Sequence, residues 1–373
     1  MNLIISQNDP AKTITGYFWR HAMKWKSLWE KIGNWELWPF ALRYMLISPV
    51  WLWYCLRSRS LWFFTASNPT ITFGGFEGEG KKEMYELLPE QVYPRTIYIT
   101  PGEDFDAVTK RIYGNGFTYP FVVKPDVGMK GLLFRKVDNE AQLKIYHDKI
   151  PMEYIVQELV EYPLEVSVFY YRYPNQQNGV ITGFIQKELM DVTGDGQRSL
   201  WQLIEAHPKA KHRLEEMRIK HIENLETVIP KGERHILTHA ANLNRGARFT
   251  NLKDLIDDQL LRVFDTLSHP TQFYYGRYDI KCRSVEDLKK GVHFSILEFN
   301  GSGAEPNHVY NAGYSLLQAN REFVKHWKVL FEISRYNHQH GIDYWPFEKG
   351  LHFLRDAKKH LKVLERFDRE ILF

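Results

Sequence analysis

The chain has 373 residues, of which 44% are hydrophobic and 25% charged, with a net charge of +4. That is enough for more than one subdomain with a sizeable core, and the small charge, with no basic run interleaved with aromatics, excludes a typical nucleic-acid reader. Cys55 and Cys282 cannot build a disulfide framework. With a start that has Asp9 and no basic flank, this points to a reducing, cytoplasmic compartment rather than secretion.

The first 66 residues read as an aromatic, basic, helical segment. Eight of the eleven tryptophans fall between Trp19 and Trp62. The stretch from Trp38 to Leu56 is apolar but is interrupted by Arg43 and Pro49, so it is not expected to span a membrane. Residues 13–62 have the composition of an interfacial element. Two expectations stay open for them: a helical hairpin packed on the core, or a peripheral membrane contact.

Residues 67–82 read as a glycine-rich loop, followed by a short helix at 81–88. A strand at 96–100 and a helix at 104–113 come next. The spacing then predicts a strand at 121–124, a glycine loop, a partner strand at 132–137 and a helix at 141–147. Strands follow at 154–158, 164–172 and 180–187, rich in β-branched and aromatic residues. Helices are expected at 199–205, 212–223 and 252–267. Residues 274–283 and 293–300 alternate as an antiparallel pair, and the chain from Tyr314 is helical with a break near 341–350.

Three patterns carry chemistry. Arg277 and Asp279 share one face of a strand, and Glu298 and Asn300 share one face of the next. Pairing these strands gathers three oxygen donors beside an arginine, a set suited to Mg²⁺ and a phosphoryl group; a solvated hairpin face is the alternative. Second, Lys124 ends a strand and is followed by Val127, Gly128, Met129, Lys130 and Gly131, a loop that can cradle phosphates or simply turn a hairpin. Third, the apolar strand ending in Glu158, Leu159 and Val160 can meet an adenine edge through its backbone, with Glu165 placed for ribose; edge-strand charges are the alternative. His235 and His239 are four apart but lack the H-E-x-x-H pattern of a zinc site.

The order of these patterns resembles the ATP-grasp superfamily, especially its carboxylate–amine ligases, D-alanine–D-alanine ligase and the cyanophycin synthetase group. Lys187 to Ile204, Ile229 to Glu233 and Ala241 to Gly246 are similar to the cyanophycin synthetase group. The resemblance covers roughly residues 81–310. It implies an α+β fold of two lobes around a nucleotide, 67–156 and 157–320, followed by C-terminal helices at 321–373. It implies ATP and Mg²⁺, or Mn²⁺ in its place, with Lys81 and Lys124 on phosphates and Asp279, Glu298 and Asn300 on the metal. Arg277, Lys187 and Arg245 would be the catalytic cations, with Asn242, Asn244 and Arg248 nearby. The implied reaction activates a small-molecule carboxylate as an acyl phosphate and passes it to an amine or another nucleophile. The same fold at a membrane surface acting on a lipid-linked or envelope substrate, or a nucleotide-binding scaffold without catalysis, are the alternatives. Such ligases usually carry an α/β domain where this sequence has its tryptophan-rich helices, which points to a different way of recognising the co-substrate.

Overall fold

A computed structural model describes residues 33–129, 131–238, 246–371 and 373. Two antiparallel sheets face each other. The smaller has β1 (Thr96–Ile99), β2 (Phe121–Pro125), β3 (Arg135–Val137) and β4 (Tyr154–Glu158) in the order β1-β4-β2-β3. Alternation divides its faces. Phe121, Val123, Tyr154 and Val156 pack under the helices α4 (Phe105–Gly114) and α5 (Glu140–Lys149), whereas Val122, Lys124 and Gln157 turn to the other sheet. That division follows from the two-residue period of a strand.

The larger sheet contains β5 (Leu164–Tyr171), β6 (Val180–Glu188), β9 (Arg248–Asn251), β10 (Tyr275–Cys282) and β11 (Phe294–Asn300) in the order β11-β10-β5-β6-β9. Val166, Val168, Tyr278, Ile280 and Phe299 form its core face, covered by α8 (Asp258–Thr271). A small pair, β7 (Asp191–Thr193) with β8 (Arg234–Ile236), lies with α6 (Leu200–Ala206) and α7 (Leu214–Lys220) around a satellite core. A turn of helix, α9 (Val285–Lys289), joins β10 to β11.

Among the described residues α1 (Phe40–Met45) and α2 (Ser48–Ser58) come before α3 (Lys81–Glu86), which precedes the first sheet. Two long helices close the chain, α10 (Leu316–Gln339) and α11 (Phe347–Glu370). They are not a separate unit: Leu330 and Phe331 of α10 share a core with Phe63, Phe64 and Phe169, and Leu364 of α11 is buried in the core of the small sheet. Residue 320, where the second lobe was expected to end, lies inside α10.

The α+β, two-lobed arrangement is the one the sequence implies. Three local expectations change, the first being the strand expected at 132–137, which shortens to Arg135–Val137. The helix expected at 252–267 begins at Asp258, because Asp257 caps it by accepting from the Leu260 amide at 2.9 Å; residues 253–255 form a separate turn. The helix expected at 212–223 shrinks to Leu214–Lys220. The short strands β7, β8 and β9 had no legible alternation of their own. Among the described residues no helix is long and apolar enough to cross a membrane.

The glycine-rich stretch 67–82 is structural as well as loop-like. Ser67 and Asn68 are fully buried, and the Asn68 side chain accepts from the Tyr274 and Tyr275 amides and donates to Gly74 and Tyr275 carbonyls. Residues 74–76 lie backbone to backbone against 301–303, with Ser302 and Gly303 amides donating to the carbonyls of Gly74 and Gly75 at 3.0 and 3.1 Å. Only glycine permits that approach, since a Cβ on Gly303 would lie 1.9 Å from the Phe76 carbonyl oxygen.

Candidate active site

The two sheets enclose a cleft of about 600 Å³. From the small sheet and its flanking loop it is lined by Lys81, Lys124, Gly128, Met129 and Gly131, and from the large sheet by Lys187, Arg277, Asp279, Glu298 and Asn300. The linker 158–160 borders it as well.

Register explains the second group. Asp279 pairs directly with Glu298, and Arg277 with Asn300, so all four side chains share the cleft face. A bulge after Asp279 shifts the register beyond this point. Asp279 is buried and bound on three sides: Lys187 Nζ at 2.9 Å, Ser167 Oγ at 2.6 Å and the Arg277 Nε at 3.2 Å. Burial alone would raise its pKa, but Arg277 and Lys187 hold it well below the usual carboxylate range. Lys187 also lies 3.7 Å from Glu165, whose pKa burial pushes up against that attraction. Lys187 is thus held between two carboxylates on the cleft wall.

Glu298 is different. It makes no ion pair among the described residues. The Asn300 amide nitrogen is buried without a hydrogen-bond partner. Two carboxylates and an amide on one face form a hard-oxygen donor set that leaves positions for water and phosphate, as Mg²⁺ prefers; among the described residues no group of three or more His, Cys, Asp or Glu could hold a metal by itself. The residues present therefore fit a divalent cation shared with a phosphate-bearing substrate.

On the opposite wall, Lys124 projects from the end of β2. Burial and the neighbouring Lys81 ammonium push its pKa down to about 7, against the pull of Glu298 and Glu165. Lys81 is buried at the start of α3, its Nζ 3.3 Å from the Asp126 carbonyl oxygen. A Cβ on Gly128 would come within 3.2 Å of that Nζ, so the loop backbone lies close over this lysine.

Other expectations are redistributed. Val127 does not line the cleft; His360 of α11 donates to its carbonyl at 2.7 Å and anchors the loop from outside. Glu158 turns its carboxylate toward Arg95, 3.7 Å away, while the residue still borders the cleft. Arg248 pairs with Glu188 at 3.6 Å and lines an adjoining groove, because its position at the edge strand points it outward. Lys130, Asn242, Asn244 and Arg245, like His239 and the helix positions before residue 33, lie outside the described residues. Cys282 is fully buried on the core face.

Several residues that line the cleft or support its lining are not picked out from the sequence. Ser167 and Lys281 lie two positions from Glu165 and Asp279 on the same strand faces, so period two could have found them. Lys281 Nζ donates to the Val160 carbonyl at 2.9 Å and fixes the linker. Asn307 donates to Ser167 at 3.1 Å, and Glu305 accepts from Tyr310 at 2.7 Å and from Tyr44; nothing local marks these loop residues. Glu79, whose pKa is raised to about 7 by burial and by Glu298 and Glu83, has a buried carboxylate oxygen without a partner.

No protein-family profile matches the chain, and no curated protein matches it. Solved structures do. The D-alanine–D-alanine ligase from Bacillus anthracis is 13% identical, with a TM-score of 0.40 over 70% of this chain and 69% of that one. The VanG D-Ala:D-Ser ligase from Enterococcus faecalis is 12% identical, with a TM-score of 0.41 over 70% and 63%. The ATP-grasp ligase PsnB complexed with minimal precursor is 13% identical, with a TM-score of 0.35 over 66% and 60%. These likenesses are loose, and the functional reading rests on the cleft.

Proposed function

We propose that this protein is a ligase of the ATP-grasp type, which uses MgATP to activate a small-molecule carboxylate and joins it to an amine, releasing ADP and phosphate. The observation that carries the reading is the opposition, across one cleft, of two lysines beneath a glycine loop to an Arg-Asp-Glu-Asn quartet set by strand register. Lys81, Lys124 and the amides of the loop would bind the phosphates. The linker 158–160 would meet the base, and Glu165 the ribose.

Asp279, Glu298 and Asn300 would hold Mg²⁺, which supplies charge neutralisation at the phosphoryl group. Arg277 balances charge on the phosphoryl group in transfer. In the first step a carboxylate oxygen attacks the γ-phosphorus and ADP leaves. In the second the amine nitrogen attacks the acyl carbon, the C–O bond to phosphate breaks, and the nitrogen gives up a proton. Lys187 acts as a positioning residue, holding Asp279 and Glu165 in place.

The test is ADP release with Mg²⁺ across a panel of amino acids and other carboxylates, each with and without an amine. Glu298→Gln is the informative variant, because Glu298 is in no ion pair that the fold relies on. It should abolish ADP release while leaving the fold intact by circular dichroism. Asp279→Asn should also abolish it, but it removes the carboxylate that Lys187 and Arg277 share and is expected to destabilise the fold by about 1–3 kcal/mol. Full activity of Glu298→Gln with unchanged Mg²⁺ dependence would remove the assignment.

A further inference from the structure

The helix pair α1–α2 has two apolar stripes, and among the described residues one of them is covered and the other is exposed. The inner stripe packs on the enzyme: Ile47 is buried with Phe323, Trp51 lies 4.9 Å from Phe63, and Tyr54 stacks on Phe331 at 4.5 Å. Arg43 and Tyr44 reach from it to Glu305 at the cleft. The outer stripe is Leu42, Met45, Leu46, Leu52, Trp53 and Leu56. Its spacing is helical, yet Leu46 is 61% exposed, Trp53 57% and Leu56 72%. A large aliphatic and aromatic face left in water calls for a partner.

Charge selects the partner. Between Glu36 and Glu77 there is no acidic residue, and Arg57 and Arg59 are exposed at the end of the stripe. The first 62 residues contain eight Lys and Arg against three Asp and Glu, a net +5, so the rest of the chain is close to neutral. Self-pairing of the face would bring arginines together with no acid between Glu36 and Glu77 to receive them. An apolar stripe bearing an exposed tryptophan and edged by arginines fits an anionic bilayer surface. The helices cannot span one, so they would lie along it.

We propose that the outer stripe of α1–α2 docks the protein on anionic lipid, with the cleft held beside the bilayer through Arg43, Tyr44 and Glu305. The docking does not depend on the ligase reading. The test is flotation of the full chain with phosphatidylcholine vesicles, with and without phosphatidylglycerol, at low and high salt. The wild type should float with the anionic vesicles at low salt only. Leu52→Glu/Leu56→Glu alters exposed positions and should lower the bound fraction about tenfold or more. Arg57→Gln/Arg59→Gln should weaken binding to anionic vesicles only. Circular dichroism of each variant should match the wild type. No flotation of the wild type, or equal flotation of the leucine variant, overturns the proposal. So does a dimer in sedimentation velocity that the leucine variant abolishes, which would make the stripe an interface between two copies.

Discussion

At the scale of single residues, the cleft sets two lysines near each other before any phosphate arrives, and the cost falls on Lys124. Its pKa of about 7, against an ordinary 10.5, reflects burial first and the Lys81 charge second. Between these two values the unfolded chain keeps a proton there that the folded chain has lost, so raising the pH through that window stabilises the fold; below about pH 7 the penalty of burying the ammonium is present in full. Phosphates need the ammonium form. Nucleotide affinity should therefore fall as the pH rises above 7, by up to about tenfold per unit. Calorimetry at pH 8 in buffers of different ionisation enthalpy should show proton uptake on nucleotide binding, and Lys124→Met should show none. Equal proton uptake in the variant would move the titration to another group.

At the scale of elements, the site depends on a join that carries no chemistry. The loop after β11 is fastened to residues 74–76 by glycine-to-glycine contact, and a Cβ on Gly301 would lie 2.4 Å from the Gly74 carbonyl oxygen. This contact fixes the end of the strand that carries Glu298 and Asn300. Gly303→Ala should cost about 1–3 kcal/mol in urea unfolding, since backbone on both sides leaves no room to yield. Gly114, at the end of α4 and with nothing within 4 Å of its Cβ position, is the control. Its replacement by alanine should be neutral or stabilising by about 0.5–1 kcal/mol. Similar losses in both variants would mean that the join is not under steric constraint.

At the scale of the whole molecule, the lobes are tied by a few groups placed between the sheets. The Tyr85 hydroxyl of α3 donates to the Leu297 carbonyl at 2.6 Å and accepts from Gln157 of β4 at 2.9 Å, bridging β11 to the small sheet. Tyr85→Phe leaves a buried carbonyl and an amide short of partners, a loss of about 1–3 kcal/mol. It should also loosen one lobe against the other, seen as faster amide exchange at β4 and β11 in the variant. Unchanged exchange at both strands would show that packing alone holds the lobes.

The sequence by itself determined the two alternating strand faces that carry Arg277, Asp279, Glu298 and Asn300, because a strand's period of two is local. It also determined the lysine-ended strand with its glycine loop and the absence of a long apolar span between Trp38 and Leu56. Helix boundaries were legible where a cap marks them, as Asp104 does for α4 by accepting from the Ala107 amide at 2.9 Å, and were misread where periodicity ran past the cap, as at Asp257. The tertiary structure decided what lies opposite what. It turned Glu158 away to Arg95 and Val127 to His360, bound Lys187 to Asp279, and brought Asn307, Glu305 and Tyr310 in from a loop without pattern. It also gave α1–α2 one packed and one exposed face. The reason is physical: alternation fixes the direction of a side chain relative to its own strand, whereas its partners come from residues distant in the chain, which only the packing of the two sheets brings together.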